Sequence, residues 1–195
     1  MGILPKQAGI SSRSKESDIL RAAAHLFSRH GYHATSMRDI AKKVGMLPGS
    51  IYYHYASKHD LLYAVYKQGV ESITKEVEAA VARIKDPEKR LRAACEAHIG
   101  MLLGSGYFAP VIIRVRPSDV KEIEAGMIAL REGYETLFRD LIDDVDLSPG
   151  VDASYLRLLL FGAMNWAQTW YHPKGDSPQK IIEQFFRILF PKREK

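Results

Sequence analysis

Apolar side chains recur at helical spacing along this chain from near one end to the other. Leu20, Ala23, Ala24 and Phe27 fall at i, i+3, i+4 and i+7, the one-face signature of an amphipathic helix. Ser14 is placed to cap that helix and His30-Gly31 to end it, since glycine readily takes the left-handed turn at a helix C-terminus. Met37, Ile40, Ala41 and Val44 repeat the pattern in a short second helix, behind a Ser36 cap with Asp39 three positions on. Gly45 stops it. Pro48 suits a first helical turn, where its missing N–H has no partner in any case, and Ile51 and Tyr55 can share the inner face of a third short helix. Ser57, with Asp60 three residues later, opens a longer helix that turns Leu61 and Val65 inward.

The remainder predicts helices over 58–84 and 88–103, a glycine-rich break "GSGYFAP", and a short segment 110–116. From Ser118 to Asp143, the residues Ile123, Met127, Leu130, Tyr134, Leu137 and Leu141 are spaced by three or four, as on one face of a helix. The last helices are expected over 152–171 and 178–190, the final one opened by Ser177-Pro178 and stopped by Pro191. No strand pattern and no internal repeat emerges. The fold class is therefore all-α, with a flexible basic arm over 1–13, a three-helix helix-turn-helix domain over 14–60, and a larger helical domain over 61–195.

Charge changes this picture more than composition does. The net charge of +5 is unevenly placed: residues 1–67 hold ten Lys and Arg against four Asp and Glu, so the first third carries the whole excess. A basic module on a near-neutral body points to a polyanion partner, although a solvated basic surface has the same composition. The single cysteine, Cys95, excludes an internal disulfide. No signal peptide is visible, and the longest uncharged runs, Ile99–Ile113 and Leu158–Pro173, are short and interrupted for a membrane span. The expectation is a cytoplasmic protein without membrane association. Five of the seven histidines lie in the first 60 residues, but His25 and His30 are five apart on different helix faces and no carboxylate or thiol cluster joins them, so no metal is expected.

Residues 14–62 resemble the N-terminal domain of TetR-family transcriptional regulators, through "ILRAAAHLFSRHGYHATSMRDIAKKVGM" and "GSIYYHYASKHDLL". The family's recurrent string Gly-x-Leu-Tyr-x-(His/Tyr)-Phe-x-x-Lys-x-x-Leu reads here Gly49-Ser50-Ile51-Tyr52-Tyr53-His54-Tyr55-Ala56-Ser57-Lys58-His59-Asp60-Leu61. The resemblance implies binding to a palindromic double-stranded DNA operator. Small Gly49 and Ser50 would let the recognition helix approach base edges, with Tyr52, Tyr53 and His54 turned to the duplex. Thr35, Ser36, Arg38 and Lys58 would meet phosphates, Lys58 together with the N–H groups of its own helix. Leu47 and Pro48 depart from the family, where a capping Ser or Thr is common; Leu47 then stands at the front of the reader without a cap to offer.

The segment 153–173 is apolar around most of its circumference, and Ile181, Ile182, Phe185, Ile188 and Leu189 make a wide stripe on the final helix. Together they exceed what one domain edge needs, so a homodimer through the last two helices is expected, as in TetR-like proteins. An effector cavity is implied by the family. Met101, Leu102, Tyr107, Phe108, Tyr134, Phe161, Asn165, Trp166 and Trp170 are its candidate lining, though core packing is the plainer reading for most taken singly. Arg114, Arg116 and Arg157, next to or inside apolar runs, need an anion from the protein or from a ligand. The string "FGAMNWAQTWYHPKG" is similar to TetR regulators of fatty-acid and sterol catabolism, which implies an acyl- or steroid-derived CoA thioester as effector and no cofactor.

An enzyme is excluded by the lack of a nucleophile–base set, paired carboxylates or a phosphate loop. The resemblance implies a dimeric repressor released from its operator by the effector; a helical protein-interaction adaptor, with the tyrosines as its contact patch, and a drug-efflux regulator with an apolar non-CoA ligand remain the alternatives.

Overall fold

The computed structural model describes residues 9–104 and 106–191. The regular elements among them are all helical: α1 (Gly9–His30), α2 (Met37–Lys43), α3 (Lys58–Val81), α4 (Pro87–Leu103), α5 (Phe108–Arg114), α6 (Glu124–Asp143), α7 (Ala153–Trp170) and α8 (Pro178–Leu189). Three 3-10 turns intervene, at Ser50–Tyr53, Pro117–Asp119 and Lys121–Ile123. Among the described residues no single helix is long and apolar enough to cross a membrane.

Local chemistry accounts for most boundaries. The Ser36 hydroxyl accepts from the Asp39 N–H while the Asp39 carboxylate accepts from the Ser36 N–H, a reciprocal capping box that starts α2. At the other end Gly45 takes φ +68, Met46 N–H bonds to the Ala41 carbonyl and Gly45 N–H to that of Lys42, the two-bond Schellman closure. Ser57 caps α3 through the Asp60 N–H, and Asp86 caps α4, with Pro87 in its first turn.

Several expectations need correction. Of the arm expected over 1–13, residues 1–8 lie outside the described residues, and residues 9–13 belong to α1; no proline stands from Gly9 to Ser14 to prevent it. The helix expected from Ser118 starts instead at Glu124. Pro117 opens a 3-10 turn in which the Asp119 carboxylate accepts from the Arg116 N–H at 2.9 Å, and Val120, at φ −140, leaves helical geometry before the next turn.

Two packed cores hold these helices. One joins Ile19, Ala23 and Phe27 of α1, Ile40 of α2, Ile51, and Leu61, Leu62, Val65 and Tyr66 of α3 to Val111 of α5 and Met127 of α6. The other gathers Val77 and Val81 of α3, Leu91, Cys95 and Ile99 of α4, and residues of α6, α7 and α8. The boundary expected at residue 60 therefore does not divide the packing, because α3 contributes to both cores.

Candidate nucleic-acid interface and internal cavity

The Gly45 closure delivers the chain into Leu47-Pro48-Gly49 and then the short 3-10 turn Ser50–Tyr53, tighter than the helix expected there. Ile51 is fully buried and anchors the turn. Tyr55 is buried too, its hydroxyl donating to Glu16 Oε1 of α1 at 3.4 Å, and burial pushes its pKa up to about 12. With these two side chains facing in, Tyr53 is 92% exposed, Tyr52 53% and Leu47 77%. Ser50 and His54 are half-buried beside them, and Arg38, Lys42 and Lys43 of α2 are exposed. Gly49 has φ −70, and a Cβ there would meet no protein atom within 4 Å. The fold itself does not require glycine at that position.

Thr35 and Lys58 differ from expectation. Thr35 is only 3% exposed and donates its hydroxyl to the Gly31 carbonyl at 2.9 Å. The Lys58 ammonium donates to the carbonyls of Tyr32 and Thr35, both at 3.0 Å, and of His33 at 3.4 Å, and lies 4.3 Å from the centre of the Tyr32 ring. Burial lowers its pKa. Lys58 thus clamps the loop between α1 and α2 onto α3 and does not reach outward to a phosphate. Ser36 is exposed, with its hydroxyl engaged in the capping box; it donates to Asp39 Oδ2 at 2.6 Å, which holds that carboxyl below its usual range.

Helix α5 connects this module to the body. Tyr107, immediately before it, meets the His25 ring of α1 edge-on at 4.5 Å, and burial lowers the His25 pKa. Arg114 at its end donates to the Ser28 carbonyl of α1 at 2.9 Å. Phe108 and Ile112 press on α3 at Gly69, where a Cβ would come within 2.6 Å of Ile112 Cδ1. Tyr107, Phe108 and Arg114 were candidates for lining a cavity; they instead dock α5, Tyr107 and Arg114 on α1 and Phe108 on α3.

The other face of α5 looks into a cavity of about 150 Å³. Val70 and Ile73 of α3, Ile112 and Ile113 of α5, Leu102 of α4 and Phe161 of α7 supply hydrocarbon walls. Buried His98 of α4 crosses it, its Nδ1 2.7 Å from the Tyr134 hydroxyl and its Nε2 3.1 Å from Asn165 Oδ1. Burial lowers the His98 pKa to about 4, so the ring is neutral, and raises that of the Tyr134 phenol. Val115, Arg116 and Arg131, the two arginines exposed, and Glu135 complete the lining. Of the expected residues, Leu102, Arg116, Tyr134, Phe161 and Asn165 line this cavity. Half-buried Met101 does not. Arg157 finds its anion in Glu135 of α6 and stands behind the cavity wall. His98, Arg131 and Glu135 were not anticipated; a histidine on an amphipathic helix gives no hint of partners far along the chain. Among the described residues no three metal-ligating side chains gather.

Trp166 and Trp170 are also placed differently from expectation. Leu156, Leu160, Met164 and Ala167 are the inner face of α7, so Trp166, 66% exposed, and Trp170 point away from the body. They share that outer face with Tyr155, Leu158 and Leu159, and Ile188 of α8 is 75% exposed.

Residues 19–65 match the family described as bacterial regulatory proteins, tetR family, and residues 84–191 match the tetracyclin repressor-like C-terminal domain. The chain is 36% identical to the HTH-type transcriptional repressor KstR2 of Mycobacterium tuberculosis over 184 residues, 90% of this chain and 91% of that protein. It is 25% identical to the fatty acid metabolism regulator protein of Bacillus subtilis over 166 residues, 81% of this chain and 84% of the relative. The crystal structure of AibR in complex with isovaleryl coenzyme A and operator DNA superposes with a TM-score of 0.82 at 26% identity, covering 91% of this chain and 98% of that one. With both halves matched and the helical architecture in agreement, the chain belongs to the TetR family of bacterial regulatory proteins.

Proposed function

We propose that this chain is a homodimeric transcriptional repressor, working in the cytoplasm, that leaves a palindromic operator when a hydrophobic anion such as a CoA thioester binds its internal cavity. One observation carries the reading: seven-residue α5 forms the cavity wall with Ile112 and Ile113 and is fastened to α1 of the DNA module by Tyr107 and Arg114. A ligand that displaces the wall moves α1, and with it the turn bearing Tyr52 and Tyr53. The coupling runs both ways, so operator binding weakens ligand binding by the same factor.

In this reading Arg38, Leu47, Gly49, Ser50, Tyr52, Tyr53 and His54 face the operator, and Thr35 and Lys58 fix the loop between α1 and α2. The bare front of Gly49, which no neighbour in the chain explains, supports close approach of a duplex. The outer face of α7 with Ile188 supports a second copy as the cover, and two readers then address two half-sites a helical turn or a multiple apart. The names of the relatives, which include a fatty acid metabolism regulator and a protein bound to isovaleryl coenzyme A, support the effector class. Selection from a random duplex library tests the DNA arm; a palindrome is expected, and no enrichment by folded, ligand-free protein overturns the reading. Release of the recovered operator by CoA thioesters tests the effector arm.

A further inference from the structure

The cavity under α5 is small for the effectors such regulators could be offered. At about 150 Å³ it matches a space that takes a six-carbon ring and little more. It also has little room to grow: Ile112 already packs on Gly69 so closely that a Cβ there would come within 2.6 Å, so this wall cannot retreat toward α3. Entry of a sixteen-carbon chain or a steroid nucleus would require dismantling the α5 docking.

The polar atoms are sorted along the cavity. With the Asn165 oxygen facing Nε2, the neutral His98 ring carries its proton there, and the Tyr134 hydroxyl donates to Nδ1. That pairing satisfies the ring and leaves the Asn165 amide N–H₂ as the free donor among hydrocarbon walls. At the mouth, Arg116 and Arg131 are exposed, and Glu135, the one carboxylate of the lining, is shared between Arg131 and, behind the wall, Arg157. The mouth is therefore cationic and the interior is apolar with one donor.

We infer that the buried part of the effector is a short acyl group of about four to six carbons, its carbonyl oxygen accepting from the Asn165 amide and its anionic remainder held outside by Arg116 and Arg131. This rests on the CoA-thioester reading above and narrows it, setting aside long-chain and steroid-derived esters.

The test uses the full chain on the operator recovered by selection, challenged with free CoA and with acetyl-, butyryl-, isovaleryl-, hexanoyl-, octanoyl- and palmitoyl-CoA and a steroid-side-chain CoA thioester. Thermal shifts with the same compounds, without DNA, report binding separately from release. Butyryl- to hexanoyl-CoA should release the operator at concentrations at least about tenfold below palmitoyl-CoA, since each misplaced methylene in such a pocket costs tenfold or more. Asn165→Leu should weaken the short esters about tenfold by removing the carbonyl donor. Ile113→Ala should move the optimum to longer chains, and Phe161→Leu provides the same enlargement on the opposite wall should the first variant fold poorly. An optimum at palmitoyl-CoA or the steroid thioester overturns the size inference and leaves a CoA-ester-responsive regulator standing. Operator binding that no ester disturbs, with no thermal shift, overturns the effector reading and this inference with it.

Discussion

Two surfaces of the molecule each group exposed aromatic side chains, and they are built on opposite logic. Tyr52 and Tyr53 stand on one tight turn anchored by a single buried Ile51, with Arg38, Lys42 and Lys43 exposed on the helix packed against it. Tyr155, Leu158, Leu159, Trp166 and Trp170 run the length of a five-turn helix with no acid or base among the exposed residues of that stripe. The first surface pairs hydroxyls with cations, which suits a phosphate backbone that stays hydrated. The second offers hydrocarbon over a long straight line, which suits another helix face that excludes water. Aromatic exposure alone does not tell a partner's class; the charge beside it and the shape beneath it do.

Breaking the second surface should have the largest effect. Leu159→Arg puts an unpaired charge at the centre of the proposed subunit contact, where it costs several kcal/mol, while leaving the inner face of α7 untouched. Sedimentation should show the mass fall to that of one chain, and operator affinity should drop at least about a hundredfold as the two half-sites lose their linkage. A Leu159→Arg protein that remains dimeric would move the interface elsewhere.

Acid separates the two regions next. An unfolded imidazole takes its proton near pH 6.5, whereas inside the body burial holds His98 down to about 4. Between those values the unfolded chain binds more protons, so stability is present above pH 6.5 and falls as the pH is lowered toward 4, by on the order of 3 kcal/mol. Urea titrations from pH 7 to pH 4 should show this loss, and His98→Gln should flatten it.

Smaller effects sharpen the first surface. Lys58→Met should destabilise the protein by about 1.5 to 2 kcal/mol, because three carbonyls lose a charged donor. It should leave the slope of log affinity against log salt unchanged, whereas Arg38→Ala should make that slope shallower by about 0.9 per subunit. If Lys58→Met lowers the slope, its ammonium meets a phosphate after all. Tyr53→Phe should weaken operator binding about fivefold, one ordinary hydrogen bond, with no change in mass or thermal midpoint.

Sequence made the helices legible wherever local chemistry decides: Ser36 with Asp39, Ser57 with Asp60, Gly45 as the stop, and the opposition of Ile51 and Tyr55 to Tyr52 and Tyr53. It also foresaw an apolar α7. Which side of α7 faces in was not legible, because an uncharged run carries no polar face to orient it; the tryptophans looked like cavity lining and lie outside. Lys58 failed for the same kind of reason. A lysine in the first turn of a helix looks free until the loop 26 residues earlier folds over it. His98 depends on Tyr134 and Asn165, 36 and 67 residues away, and no local pattern announces such a triad. Five of twelve expected cavity residues were found because apolar runs do mark interiors, but only tertiary packing selects which members face a void.

Helix α3 passes without interruption from Lys58 to Val81, so one rod carries residues of the DNA module's core at one end and of the body's core at the other. Sensor and reader are consequently in phase. A single residue inserted between Val70 and Val77 would rotate one core about 100° relative to the other, and four would nearly restore the angle while lengthening the rod by about 6 Å. Chimeras that exchange the reading head therefore have to be joined in register along this helix, and the chain's modularity is that of a keyed shaft, with few permitted cuts.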